Sequence, residues 1–442
     1  MTEGGDRKRV VILGAGAGGL AAALELRKAG TAVPGVEVTL VDQRDYHHPL
    51  PYICNVVSGG VRPGHICFPL HAVLSERSNS RSVLFKQSRV EDIDPENKVV
   101  VTDGEELKWD YLVVALGSTT NFFGMSNLEH GTLAFKSVKD AVSIHDRILD
   151  NHEAALREED VQRRRVLLTF VVVGGGATGA ELAASIQDFV SVVGRKYPSL
   201  TAEARVLLVE ARDSLLSGLK PAMSDLAIRR LSSRGIVILL ETRVTEVLPD
   251  AIETADGTRI STGTVIWVAG VKPATVAESL PFEKGRDGRL LVNAYLEVPQ
   301  APGTYVIGDC AYLPQRDGSG PYPQTQQVAE RQGPVCARNI ISTILGRNRQ
   351  AFDYRFKGQL IYMGKNLTAA QVWNHVFDGF TGALLRRIFY TWEFVSYLGL
   401  TTGLRRKAGA VNDWVLAYFG RHAIADLSDE KWEALEVGRK RR

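Results

Sequence analysis

No run of about 18 uninterrupted apolar residues occurs in this 442-residue chain, which argues against a helix crossing a bilayer. Cysteine is scarce as well: Cys54, Cys67, Cys310 and Cys336 form no C-x-x-C pair and no regular spacing. Neither a metal site nor a disulfide framework is therefore expected, and a reducing compartment fits. The net charge is only +3, and no basic stripe with interleaved aromatics appears, so no nucleic-acid partner is expected. The opening MTEGGDRKRV runs into an apolar strand without a signal-peptide core, which predicts a cytoplasmic location. Apolar and charged residues are in ordinary globular balance, so wholesale disorder is excluded. The length calls for two or three domains.

What is present is a repeat. Arg9 to Leu13 is an apolar run, followed by Gly14, Gly16 and Gly19 in a glycine turn and then by an Ala/Leu-rich helical segment. Phe170 to Val173 repeats the pattern, with Gly174, Gly176 and Gly179 and a second helical segment. Each copy closes on a β-branched strand ending in an acid, Asp42 in the first and Glu210 in the second. Strand, glycine turn, helix, strand and acid make the dinucleotide-binding βαβ unit. The first glycine permits the tight turn, the second lets a pyrophosphate approach the backbone, and the third lets helix and strand pack closely. The phosphates then meet the positive helix N-terminus, and the acid accepts from ribose hydroxyls. Glu210 lies further beyond its glycines than the usual ~20 residues, a gap that the intervening VVGRKYPSLTAEA fills as extended helix and loop.

Two strands ending in glycine, at Gly117 and Gly270, are near-duplicates and read as buried parallel strands that meet a dinucleotide closely. They mark where the chain leaves one domain and returns to it. A further strand ends at Gly308-Asp309, where the acid can accept from the ribityl chain of a flavin. The expected fold is α/β, with two Rossmann-like dinucleotide-binding domains and a C-terminal membrane-docking α segment. Residues 1–120 and 270–345 are expected to form a discontinuous first dinucleotide-binding domain, 121–269 an inserted second one, and 346–442 the membrane-association region.

The strings LLTFVVVGGGATGAELAAS, YLVVALGSTTNFFG, GTYVIGDCA and PQTQQVAERQG resemble those of the type II NADH:quinone oxidoreductases, and the likeness runs over nearly the whole chain. The resemblance implies a peripheral membrane flavoenzyme that carries hydride from NADH to non-covalent FAD and electrons on to a membrane quinone, without pumping ions. It implies FAD on Gly14, Gly16, Gly19, Asp42 and Asp309, and NADH on Gly174, Gly176, Gly179, Glu181 and Glu210. Gln327 matches the first glutamine of the family's quinone-site helix, and Arg331 stands where the family has its second. Positions i and i+4 share a helical face, so the exchange changes the chemistry facing the quinone. Lys365 is placed near the quinone pocket. The structural alternatives are that Glu181 only favours its helix dipole and that Gln327 and Arg331 only cap and solvate a surface helix.

Phe389 to Leu404 is apolar apart from Glu393 and is bracketed by Arg386-Arg387 and Arg405-Arg406-Lys407, and a second aromatic stretch follows. Such a segment, rich in Trp and Tyr with basic edges, suits an interfacial helix on anionic lipid. Residues 380–422 are thus the expected bilayer contact, on the cytoplasmic face, with a dimer-interface or core helix as the alternative and a homodimer as a further expectation. Two other functions stay open. A sulfide:quinone oxidoreductase shares the fold but needs redox cysteines beside the flavin. A slow-turnover flavoprotein that senses NADH and signals through a partner fits the same motifs.

Overall fold

The computed structural model describes residues 7–29, 33, 35–75, 83–356, 358–364, 367–373, 375–379, 381, 382, 384, 385 and 412. Its centre is a five-stranded parallel sheet in the order Thr304–Val306, Tyr111–Val114, Lys8–Leu13, Val36–Asp42, Leu84–Gln87. A second parallel sheet runs Val237–Leu239, Arg205–Val209, Thr169–Val173, Thr264–Trp267. In both, the strand before the glycine turn sits between the strand that ends in the acid and the later strand that ends near glycine. The central strands Lys8–Leu13, Tyr111–Val114, Thr169–Val173, Arg205–Val209 and Thr264–Trp267 are mostly buried, as parallel strands covered on both faces must be, and their Val/Ile/Leu runs supply the two cores.

The repeat extends further than the glycine turns. In each copy a three-stranded antiparallel meander comes just before the strand that ends near glycine, Val90–Asp94 with Val99–Thr102 and Glu106–Lys108 in the first. Val244–Val247, Ala251–Thr254 and Arg259–Ser261 form its counterpart. The pairing register shifts near the start of both, at Val90/Asp92 and at Val244/Glu246, one bulge in each copy. Between the two units the chain crosses over and back side by side, Ser118–Thr120 pairing antiparallel with Val271–Pro273.

The described part of 346–442 departs from the expected α segment. Gly358–Tyr362, Thr368–Val372 and His375–Phe377 form an antiparallel three-stranded sheet. Its turns need backbone that helix would not give: Gly364 has φ +107°, and Gly358 at φ +141° leaves no room for a Cβ, which would sit 2.2 Å from the Gln371 carbonyl oxygen. This sheet is tied to the second unit. Arg230 grips Asp378 through its guanidinium, Arg234 pairs with Asp188, and the Tyr362 hydroxyl donates to the same Asp188 carboxylate. Among the described residues no helix is long and apolar enough to cross a membrane. Nearly all of the expected lipid contact, 380–422, lies outside the described residues.

Candidate active site

The carboxyl edges of the parallel strands converge on two glycine cradles built alike. At Gly14, φ is +98° and a Cβ would lie 2.3 Å from the Ala115 carbonyl oxygen; at Gly174, φ is +118° and a Cβ would lie 2.6 Å from Ala269 Cα. Gly19 and Gly179 each face their own turn, where a Cβ would stand 1.9 Å and 1.8 Å from the carbonyl oxygens of Gly14 and Gly174. Gly16 and Gly176 differ from these, because a Cβ there meets nothing within 4 Å. Fold packing explains the outer glycines of each turn, whereas the middle one borders open space at a helix N-terminus. That is the place an anionic pyrophosphate takes.

The two acids are held by the same device. Asp42 accepts from the backbone N–H of Ala15 at 2.7 Å and of Arg44 at 2.8 Å. Glu210 accepts from Gly175 N–H at 2.5 Å and from Arg212 N–H at 2.9 Å. Each carboxylate oxygen keeps a lone pair for a ribose hydroxyl. Arg212, the nearest cation to Glu210 in sequence, spends its guanidinium on the Ser217 hydroxyl.

Only the first unit carries a further acid at a strand end. Asp309 follows Thr304–Val306, and its Oδ2 accepts from Ser118 Oγ at 2.6 Å, while Lys136 Nζ donates to the same hydroxyl at 3.0 Å. Gly117, at φ +72°, lets the chain turn beneath them, and its carbonyl accepts from Cys310 Sγ. Gly270 has a different reason from the one expected: a Cβ there would press 2.9 Å from the Phe123 ring, a packing constraint within the second unit.

The helix Gln326–Ile344 is bound to this edge. Gln332 Oε1 accepts from Gly308 N–H at 2.6 Å, Gln324 Nε2 donates to the Asp309 carbonyl at 2.9 Å, and Thr325 caps the helix through Val328 N–H. At Gly333 the helix lies so close to Ala17–Ala29 that a Cβ would sit 2.4 Å from the Gly18 carbonyl oxygen. Gln327 and Arg331 share the exposed face. Gln327 is oriented by two neighbours: Tyr354 donates its hydroxyl to Oε1 at 2.7 Å, and Nε2 donates to the Gly358 carbonyl at 3.4 Å. Arg331 has no ion pair among the described residues, so its charge faces outwards.

Glu181, on the helix Ala177–Lys196, accepts from Tyr362 N–H at 2.9 Å. Its charge also reaches Cys54 on the short helix Ile53–Val57 of the first unit; burial raises that thiol's pKa well above its ordinary value and Glu181 adds to the rise. The acid therefore stands where both units and the C-terminal sheet meet. Lys365 lies outside the described residues. Sequence reasoning missed Ser118, Lys136, His48, Tyr354 and Tyr362. Of these only Ser118 carried a signal, as the residue after a strand-ending glycine.

Several buried polar atoms in the first unit have no protein partner. His48 Nε2 is one, and Arg44 Nε, which pairs with Asp42 Oδ1 only as an ion pair at 3.7 Å, lacks a hydrogen-bond partner as well. Orphaned donors and acceptors beside Asp42 and an open Gly16 fit a bound dinucleotide, because unpaired buried polar groups are costly. Burial, with the Arg44 guanidinium adding to it, pushes the His48 pKa down to about 3. Folded His48 thus stays neutral while the unfolded residue takes a proton below its ordinary 6.5, so the apo-protein loses stability as pH falls from there towards 3. At pH ~5 this residue alone is expected to cost about 2 kcal/mol. Thermal unfolding of the apo-protein at pH ~7.5 and ~5 checks it, and His48→Gln should shrink the difference.

Residues 8–333 match the model of the pyridine nucleotide-disulphide oxidoreductase family. The type II NADH:quinone oxidoreductase Ndh of Mycobacterium tuberculosis is 30% identical, over 96% of this chain and 91% of its own. A type II NADH:quinone oxidoreductase of Staphylococcus aureus is 27% identical, over 91% of this chain and 99% of its own. In fold, the chain is similar to NDH2 from Plasmodium falciparum in complex with NADH, with a TM-score of 0.84 at 19% identity, covering 95% of this chain and 100% of that one. The chain belongs to the pyridine nucleotide-disulphide oxidoreductases and, within them, to the type II NADH:quinone oxidoreductases.

Proposed function

We propose that this chain takes hydride from NADH on its second glycine cradle, passes it to FAD on the first, and delivers the electrons to a membrane quinone without moving ions across the bilayer. The observation that carries the reading is the duplicated cradle, Gly16 with Asp42 and Gly176 with Glu210, each open at its middle glycine. FAD is assigned to the first because only that sheet adds a strand ending in an acid, Asp309, suited to a ribityl chain. In this reading 1–120 and 270–345 make the FAD domain and 121–269 the NAD(H) domain.

FAD supplies the hydride and electron chemistry, and the protein supplies place and field. Gly14, Gly19, Gly174 and Gly179 shape the cradles, Asp42 and Glu210 hold riboses, and Gly117 and Gly270 end the strands beneath them. Glu181 lies at the junction of the two units, where its carboxylate is oriented by Tyr362. Gln327, with its amide fixed by Tyr354, offers one N–H and one lone pair to a quinone or quinol oxygen. Arg331 adds an outward cation on the same face. Lys365 and the basic aromatic segment 380–422 complete the proposal as the quinone-side lysine and the bilayer contact on the cytoplasmic face, with a homodimer as the assembled form.

The sulfide reading fares worse. The described cysteines are all free. Burial raises the pKa of Cys54 well above its ordinary value, and burial next to Asp309 pushes that of Cys310 up to about 12. Thiols held protonated are poor nucleophiles. The deciding experiment releases and identifies the flavin, then follows NADH oxidation with quinone in anionic liposomes. Sustained turnover supports the enzyme. Flavin reduction that stalls at one equivalent supports an NADH sensor instead.

Preference for NADH over NADPH follows from Glu210. A 2′-phosphate would face its carboxylate, and Arg212, bound to Ser217, is not placed to compensate. Glu210→Gln should narrow the kcat/KM ratio between the two by about tenfold, roughly one charge interaction in a partly screened site. A wild-type enzyme faster with NADPH would overturn the assignment.

A further inference from the structure

We propose that Lys136 is a further FAD-binding residue, its ammonium seated by Ser118 so that it faces an anionic oxygen of the cofactor. The inference rests on the assignment of FAD to the first cradle and adds a ligand that neither the glycine motif nor the strand-end acids contain. Lys136 stands just before the helix Val138–Arg157, whose start is fixed by a capping box between Ser137 and Asp140. Asp140 also accepts from the Lys136 backbone N–H at 2.8 Å, so the lysine's backbone is held from its own helix. From the other side, the His48 imidazole hydrogen-bonds the Lys136 backbone. The side chain is thereby aimed from one fixed point into the carboxyl edge of the five-stranded sheet.

There the ammonium is underused. Its Nζ donates to Ser118 Oγ at 3.0 Å, and that hydroxyl donates onward to Asp309 at 2.6 Å. No carboxylate lies within ion-pair distance of Lys136 among the described residues, although an ammonium has three donors to satisfy. Burial lowers the Lys136 pKa from the usual lysine value, and Asp309 opposes that. Removing a cation from water without pairing it is unfavourable, so a lysine kept only for the fold would be expected to meet a carboxylate directly.

An independent observation points to the same ligand. His48, which holds the Lys136 backbone, is about nine-tenths buried, and its Nε2 has no partner. Its neighbour His47 contacts the Ala15 carbonyl at 2.9 Å, inside the first glycine turn. An orphaned ring nitrogen and an underused ammonium thus stand near one another, on two different segments, beside the first glycine turn and Asp309. A dinucleotide lying along this edge passes both, and it carries anionic oxygens on its diphosphate and, once reduced, a further negative charge on its ring.

The test uses apo-protein and Lys136→Met, which keeps the aliphatic stem and removes the charge. Its apo melting temperature is expected to equal or exceed the wild type's, because a desolvated cation has gone. Its Kd for FAD is expected to rise about tenfold or more, the usual effect of one charge-assisted hydrogen bond, with a smaller melting shift on FAD addition. Lys136→Arg should restore most of the affinity. ADP, which carries the diphosphate without the flavin, identifies the oxygen: parallel weakening assigns the diphosphate, and unchanged ADP binding assigns the flavin half. A Lys136→Met apo-protein that unfolds or melts lower would show a structural lysine and overturn the proposal. An FAD affinity within twofold of wild type would overturn it too. Wild-type apo-protein that takes up no FAD would instead refute the assignment of the first cradle.

Discussion

Gly179→Ala is expected to purify with a full complement of FAD and yet to be reduced by NADH at least about 100-fold more slowly than wild type. A methyl at this position would stand 1.8 Å from the Gly174 carbonyl oxygen, so the turn and the first helical residues must separate. The displacement falls in the second cradle and leaves the five-stranded sheet untouched. Gly19→Ala is its mirror image, with a Cβ 1.9 Å from the Gly14 carbonyl oxygen, and should yield protein that fails to retain flavin. Overpacking against backbone costs stability as well, about 1–3 kcal/mol or more, so lost binding in these two variants could be blamed on the fold.

The middle glycines remove that ambiguity. A Cβ on Gly16 or Gly176 meets nothing within 4 Å, so alanine there should leave the melting temperature of the apo-protein unchanged. It would still occupy the space in which a pyrophosphate touches the backbone. Gly176→Ala is expected to raise the Kd for NADH about tenfold, and Gly16→Ala to do the same for FAD. Wild-type NADH affinity in Gly176→Ala, measured by quenching or by stopped-flow reduction, would remove the second cradle as the NADH site.

These features were legible in the sequence because the constraint is local. A tight turn, a close helix and an acid at a strand end lie within one βαβ unit, and few residue types satisfy them. Asp42 and Glu210 could be paired with their glycines from order alone, and the structure adds that each binds the equivalent two backbone N–H groups of its own unit. Long-range partners left no such trace. Glu181 and Tyr362 are far apart in the chain, as are Ser118 and Asp309, and nothing in either segment announces the other. The C-terminal sheet was hidden for another reason. Aromatic content and basic edges dominate the later part of that region, whereas the glycines at 358 and 364, which permit the hairpin, look like ordinary loop residues.

Gln327→Leu is expected to slow reoxidation of the flavin by quinone about tenfold or more while leaving its reduction by NADH unchanged in stopped flow. The helix that bears Gln327 is locked to the Asp309 strand end by Gln332 and Gln324, so it has little freedom to move the amide towards or away from the flavin edge. The amide itself is held by Tyr354 and, more weakly, by Gly358, which decides which end presents an N–H and which a lone pair. Leucine keeps the volume and the helix but can neither donate to a quinone carbonyl nor accept from a quinol hydroxyl. Because the position is exposed, the substitution should cost the fold little. Tyr354→Phe tests the orientation separately. It leaves the amide in place but free to rotate, so the KM for quinone should rise by about fivefold, one neutral hydrogen bond, with less change in kcat. Arg331→Gln then isolates the outward charge: if that cation favours the anionic character the quinone acquires on reduction, its loss lowers kcat while the NADH half-reaction stays as it was. Equal reoxidation rates in Gln327→Leu and wild type would place the quinone elsewhere, whatever the other two variants did.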